Sequence, residues 1–215
     1  MAISWDTIDT VLLDLDGTLL DLRFDNHFWL EHVPRRYAEA RGLLLEEAKR
    51  ELKARYQAME GRLEWYSVDF WTVELGLDIA ALKEEVQHLI APHPHAVDFL
   101  QRTIAAGRRA IVVTNAHPKS IRLKMRRTRL DAHVDRIICA HTLGFPKETV
   151  EFWRRFAEVE PFDADRTLLV EDSIAVLRTA RTVGVRHLLA VRRPDSGEPE
   201  RSITEFDSIS SFAEL

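Results

Sequence analysis

What most constrains this chain is a rhythm. Short apolar runs at residues 10–15, 109–114, 135–139, 167–170 and 186–191 alternate with helical patterns. Strands that recur in this way are buried on both faces, so the expected architecture is α/β: a parallel sheet with helices on both sides and right-handed crossovers. The helices have readable ends. Residues 94–106 stop at Gly107, 118–128 open on Pro118, 148–158 follow Lys147, and 174–183 are capped by Ser173 and closed by Gly184.

The rhythm breaks once. From about residue 22 to residue 92 there is no strand pattern, only helical stretches punctuated by Pro34, Gly42, Gly61, Gly76 and Pro92. The expectation is a core made of residues 1–21 and 93–215, with an all-helical module, 22–92, inserted after the first strand. Its helices carry apolar faces, as in Leu82, Val86, Leu89 and Ile90, and Asp78 stands as an N-cap. It also holds Phe24, Phe28, Trp29, Tyr37, Tyr56, Trp65, Tyr66, Phe70 and Trp71. Most of these rings are expected to build a small bundle core, leaving one or two to line a pocket for a flat ligand. Residues 193–202, with Pro194, Gly197 and Pro199, read as a surface loop before a short terminal segment.

Charge narrows the function. With 30 Lys+Arg against 35 Asp+Glu in 215 residues, the formal net charge is -5, and no overall basic field draws polyanions such as nucleic acid. The basic run Lys119, Arg122, Lys124, Arg126, Arg127 and Arg129 reads as the solvated faces of a helix, with Ile121 and Met125 marking its buried side. No apolar run approaches the roughly 20 residues that span a bilayer. The single cysteine, Cys139, has no partner for an internal disulfide, and no charged-then-apolar leader opens the sequence. A soluble, cytoplasmic protein is expected. His93 and His95 flank Pro94 without a third ligand in view and read as cap and surface residues, while His117 falls where it could either touch a substrate or start a helix.

The chemistry collects where strands end. Strand one runs Val11-Leu12-Leu13-Asp14-Leu15-Asp16-Gly17-Thr18, and a period of two sends Asp14 and Asp16 out on the same side. Gly17 permits a sharp turn and a close backbone approach. Two carboxylates this close either bind a cation or keep one proton. Later strands end in Thr114-Asn115, in Gly144-Phe145-Pro146-Lys147 and in Glu171-Asp172-Ser173. Ligands of open α/β sheets sit at that edge. Carboxylates, a hydroxyl and an ammonium gathered there suit a hard divalent cation together with a phosphate, and so phosphoryl transfer.

These residues resemble the four motifs of the haloacid dehalogenase superfamily. Asp14-Leu15-Asp16-Gly17-Thr18 matches the first, Thr114-Asn115 the second, Lys147 the third and Glu171-Asp172 the fourth, with Glu171 where Asp is frequent. The helical insert resembles that superfamily's cap domain. Further stretches, Leu20-Asp21-Leu22-Arg23-Phe24-Asp25-Asn26, Trp65-Tyr66, Thr114-Asn115-Ala116-His117-Pro118 and Asp195-Ser196-Gly197, are similar to the bacterial GMP/IMP nucleotidase subgroup. The resemblance spans essentially the whole chain and implies a Rossmann-like α/β core.

It further implies a Mg2+-dependent phosphomonoester hydrolase in which Asp14 attacks phosphorus and Asp16 is the general acid and base. Thr114 and Lys147 would hold phosphoryl oxygens, and Asp14, the backbone carbonyl of Asp16 and Asp172, with Glu171 nearby, would hold the metal. An acid two residues after the nucleophile argues against carbon-halogen cleavage, where no leaving group needs a proton. The expected substrate is a small phosphomonoester, a purine nucleoside 5'-monophosphate, with Asn115, Asn26 or Asp25 in polar contact and Phe28, Trp29 or Trp65 stacked on the base. A sugar-phosphate or phosphoglycolate phosphatase, a phosphomutase and a catalytically silent binding protein remain the alternatives.

Overall fold

The structure, a computed structural model, describes residues 3–215. Six parallel strands form one sheet in the order β3-β2-β1-β4-β5-β6: β1 Thr10–Leu13, β2 Arg109–Thr114, β3 Arg136–Cys139, β4 Thr167–Glu171, β5 His187–Val191 and β6 Asp207–Ile209. Alternation along β1 divides the core. Val11 and Leu13 face one apolar cluster, and Leu12 faces the other, with Phe152, Trp153, Phe156 and Leu177. The chain winds outward from β1 to β3 and returns to β4 on the far side of β1, so the order reverses between β1 and β4. That reversal opens a crevice at the carboxyl ends of the strands. In register, Leu13 lies beside Val112 on one side and Val170 on the other. The residues that follow these strands therefore emerge together.

The elements between β1 and β2 are all helices, with no strand among them. Helix α1 (Arg23–His27) runs through a π-helical turn, Phe28–His32, into α2 (Val33–Arg41), which ends at Gly42 with φ +67°. Next come α3 (Leu45–Met59), a 3-10 turn Leu63–Tyr66, α4 (Val68–Leu75) and α5 (Ile79–Glu85). Ser67 and Asp78 cap α4 and α5, accepting from Phe70 N and Ala81 N at 3.1 and 3.0 Å. Phe24, Phe28, Leu52, Tyr56, Val68 and Trp71 are buried in this bundle. The two segments that join it to the sheet lie side by side: Leu20 bridges Pro92, Asp21 N donates to Ala91 O at 3.0 Å and His93 N to Leu19 O at 2.9 Å.

The remaining helices are α6 (Ala96–Ala105), α7 (Pro118–Thr128), α8 (Ala140–Leu143), α9 (Val150–Val159) and α10 (Ile174–Thr182). Two features depart from the sequence expectation. The terminal segment adds an edge strand, β6, beside β5. The loop at 193–202 is largely exposed, as expected, but its residues Pro194 and Asp195 are buried and it packs on both joining segments. Pro194 O accepts from Leu22 N at 2.8 Å and lies 3.0 Å from His93 Nε2, Ser196 N donates to Asp21 Oδ1 at 3.0 Å, and Asp195 is buried. The loop is fixed because it satisfies polar groups of the crossing chain. Among the described residues no helix is long and apolar enough to cross a membrane.

Candidate active site

Three carboxylates meet at the β1–β4 crevice. Asp14, Glu171 and Asp172 each place an oxygen within 4.8 Å of the others. Lys147 reaches into the same place: its ammonium donates to Asp14 Oδ1, to Glu171 Oε2 at 2.7 Å and to Val113 O at 3.0 Å, using all three protons. Asp14, Glu171 and Lys147 are buried. Burial, with Glu171 beside it, pushes the Asp14 carboxyl up to about 8 despite Lys147. Burial raises Glu171 to about 7, and burial together with Asp14 raises Asp172 to about 7. For Lys147 burial works against the charge, but Asp14 and Glu171 outweigh it and hold the ammonium protonated.

One ammonium does not balance three acids, so the cluster resists full ionisation until more positive charge arrives. All of its donors are carboxylate oxygens, the ligands a hard divalent cation takes, and the residues present fit such an ion. Gly17, with φ +90°, brings the turn after β1 against this cluster. A Cβ there would stand 2.9 Å from Asp172 Cγ and Oδ2 and 3.1 Å from Pro194 Cβ.

The second motif is buried between these groups. Thr114 Oγ1 accepts from Ala116 N at 3.0 Å. Asn115 Oδ1 accepts from Lys147 N at 2.9 Å, and its Nδ2 donates to Glu148 Oε2 at 2.9 Å. Both ends of the Asn115 amide are thus engaged in holding the lysine loop. Glu148, which the sequence reading passed over, also accepts from the Tyr66 hydroxyl at 2.5 Å and so links the helical insert to the sheet. Its only signal in the sequence is its place next to Lys147.

Asp16 has a different neighbourhood. Lys124 Nζ stands 2.6 Å from Asp16 Oδ1 and donates to Asp25 Oδ2 at 2.6 Å, while Lys83 Nζ donates to Asp25 Oδ1 at 2.9 Å. This corrects the solvated reading of the basic helix at one residue: Lys124 is 1% exposed, while Lys119, Arg122, Arg126, Arg127 and Arg129 are exposed as expected. Helical spacing sets Lys124 on the buried side with Met125, and its charge survives there because two carboxylates meet it. Burial pushes Asp25 up, but Lys124 and Lys83 outweigh it and hold that carboxyl well below the usual range. Asp16, buried and next to Asp25, is raised although Lys124 opposes the shift.

A cavity of about 400 Å3 joins these groups to the insert. From the sheet it is lined by Asp14, Asp16, Thr114, Asn115, Lys147, Glu171 and Asp172, and from the insert by Trp29, Leu30, Tyr56, Trp65, Tyr66, Val68 and Trp71. The π-helical turn carries Trp29 and Leu30 to the wall. Of the rings expected to meet a base, Trp29 and Trp65 line the cavity; Phe28 is fully buried in the bundle beside Trp29. Asn26 lines it too, its amide donating to Asp195 Oδ2 at 2.7 Å. His117 lines the cavity and starts α7, its Nδ1 accepting from Lys119 N at 3.3 Å.

A family model of haloacid dehalogenase-like hydrolases matches residues 8–184. The chain is 39% identical over 213 residues to the GMP/IMP nucleotidase YrfG of Escherichia coli (strain K12), covering 99% of this chain and 96% of that protein. The same values relate it to the GMP/IMP nucleotidase YrfG of Shigella flexneri. Among solved structures, the HAD phosphatase from Thermococcus onnurineus superposes with a TM-score of 0.80 at 21% identity, covering 96% of this chain and 95% of that one. CbbY from Rhodobacter sphaeroides, in complex with phosphate, follows the same fold with a TM-score of 0.68 at 19% identity, over 97% and 96% of the two chains.

Proposed function

The chain belongs to the haloacid dehalogenase-like hydrolases, and from that membership we propose that it hydrolyses the purine nucleoside 5'-monophosphates GMP and IMP through an aspartyl-phosphate on Asp14. The observation that carries this reading is one cavity lined both by Asp14, Lys147 and Asp172 and by the aromatic rings Trp29, Tyr56, Trp65, Tyr66 and Trp71 of the insert. The polar group suits a phosphate and the rings suit a flat base. The 39% identity to a GMP/IMP nucleotidase along nearly the whole chain supports the same substrate class.

The residues divide the work as follows. An Asp14 oxygen attacks phosphorus in line and the bond from phosphorus to the ribose oxygen breaks. Asp16 delivers a proton to that oxygen, a role its raised pKa suits. Asp16 then accepts a proton from water, which attacks phosphorus and frees phosphate and the Asp14 carboxylate. Lys147 and Thr114 hold the phosphoryl oxygens against the charge that shifts between them. Asn115 and Glu148 keep the Lys147 loop in place. Mg2+, held by Asp14, Asp172 and the backbone carbonyl of Asp16 with Glu171 adjacent, would supply the positive charge that lets an anionic nucleophile meet an anionic phosphate.

Residues 22–92 act in this reading as a cap that excludes water and reads the leaving group. A cytoplasmic location completes the proposal, supported by a lone, buried Cys139. The test is phosphate release with Mg2+ over GMP, IMP, ribose 5-phosphate, hexose phosphates and phosphoglycolate. GMP and IMP are expected to give the highest kcat/KM; a hexose phosphate or phosphoglycolate that outcompetes them overturns the purine assignment.

A further inference from the structure

Beyond the Asp14 cluster, four charged side chains form one largely buried chain. Lys83 Nζ donates to Asp25 Oδ1 at 2.9 Å, and Lys124 Nζ donates to Asp25 Oδ2 at 2.6 Å and stands 2.6 Å from Asp16 Oδ1. Lys83 and Asp25 belong to the insert, on α5 and α1; Lys124 is on α7, and Asp16 is in the turn after β1. Asp25 is the hydrogen-bond acceptor of Lys83, whose ammonium otherwise sits over Phe24, Phe28 and Trp29, 4.9, 4.4 and 5.4 Å from their ring centroids. At the far end Asp16 is held by one side. Its Oδ1 is shut in against Lys124, yet 21% of the side chain is accessible and Asp16 lines the cavity, which leaves Oδ2 as the oxygen open to a substrate.

Two buried ammoniums and two acids could pair off separately, Lys83 with Asp25 and Lys124 with Asp16. They do not. Asp25, expected in polar contact with the base, has one oxygen bonded to each lysine. A lysine ammonium rides on a flexible four-carbon stem, so a contact to Asp16 alone would leave it free to swing. Its second contact, to a carboxylate that Lys83 anchors by the other oxygen, fixes where the ammonium stands and which Asp16 oxygen it covers. We propose that Asp25 is a positioning residue for proton delivery: held by Lys83, it sets Lys124 so that Asp16 presents Oδ2 to the leaving-group oxygen. This rests on the reading of Asp16 as proton donor and deepens it, because it extends the acid's support into the insert. A misplacement of about 1 Å in such a group can cost on the order of 100-fold in rate.

The test compares phenyl phosphate with 4-nitrophenyl phosphate, two esters of the same charge and similar shape. 4-Nitrophenolate departs without a proton and phenolate departs far less readily, so the ratio of their kcat/KM values reads the help given by the acid. These values end at departure of the leaving group and leave out the later hydrolysis of the phosphoenzyme. The proteins are wild type, Asp16→Asn, Asp25→Asn and the double variant Asp25→Asn/Lys83→Met, all with Mg2+. The double variant removes an ion pair as a unit and leaves Lys124 with Asp16, so it replaces Asp25→Asn in the comparison if the single variant does not fold. Relative to wild type, the Asp25 variants are expected to lose about tenfold or more on phenyl phosphate beyond any loss on 4-nitrophenyl phosphate, as Asp16→Asn does. If Asp16→Asn shifts the ratio and the Asp25 variants lower both esters alike, or neither, the positioning role is overturned while Asp16 remains the acid. If Asp16→Asn leaves the ratio unchanged, the proton-donor reading falls and this inference falls with it.

Discussion

Lys124 meets Asp16 at 2.6 Å inside the protein, and the same ammonium is 2.6 Å from Asp25 on α1. One cation from the sheet-side helix α7 thus fixes the carboxylate assigned to proton transfer and ties it to the first helix of the insert. Replacing Lys124 by Met leaves the largely buried Asp16 without a counter-charge and Asp25 with Lys83 alone, a change that costs up to about 3 kcal/mol. Urea unfolding of Lys124→Met should show that loss and phosphate release should fall with it, whereas Lys124→Arg should retain most of the stability. A Met variant as stable as wild type would mean the pair contributes nothing.

Acidity links metal and stability. The folded state raises Asp14, Glu171 and Asp172 to about 8, 7 and 7. A carboxyl with a raised pKa favours the folded state fully only below its unfolded value, near pH 4, and that contribution is lost as pH rises through the folded value. The chelated protein should therefore melt at falling temperatures between about pH 5 and pH 8. Added Mg2+ should raise the melting temperature more at pH 8 than at pH 5.5, because it stabilises the ionised cluster. An equal increment at both pH values would contradict the metal assignment.

Gly17 tests the same cluster sterically. Its φ of +90° disfavours any side chain, and an alanine Cβ would press within 2.9 Å of Asp172. Gly17→Ala should weaken Mg2+ activation by about tenfold or more, as disturbances of metal ligands commonly do. Titration of activity against Mg2+ concentration reads this directly, and an unchanged midpoint would show that Asp172 does not need its present position.

Tyr66 and Glu148 bridge the insert to the sheet at 2.5 Å. Tyr66→Phe removes that bond while Asn115 still holds Glu148. A hydrogen bond to a charged group contributes about 1.5–3 kcal/mol, so kcat/KM for IMP should fall by about 10- to 100-fold if the bridge holds the insert over substrate. Steady-state kinetics on IMP provide the check; an unaltered value would separate this contact from closure.

How much of this was legible follows from what each residue's partners are. Asp14 and Asp16 announce themselves because a strand's period of two and a following glycine are local facts, and the β1–β4 crevice follows from the order of elements. Lys124 was hidden: a lysine among arginines on a helix reads as solvated, and its partners Asp16 and Asp25 lie far away in sequence. Asp195 was marked only by the resemblance of its stretch; its burial against Asn26 was hidden for the same reason, since Pro194 and Gly197 around it are turn residues and Asn26 is on another segment. β6 is only three residues long and pairs solely at the sheet edge, too short for a periodic signal.

Asp14 as nucleophile is the claim on which the others depend. Asp14→Asn keeps the size of the side chain and removes the attacking oxygen, so the direct measurement is Mg2+-dependent phosphate release from IMP by this variant, beside a circular dichroism spectrum matching wild type. Loss of a catalytic nucleophile costs on the order of 10^4-fold or more in kcat, and a drop of that size is expected. A folded Asp14→Asn protein that releases phosphate within tenfold of the wild-type rate would contradict the aspartyl-phosphate mechanism.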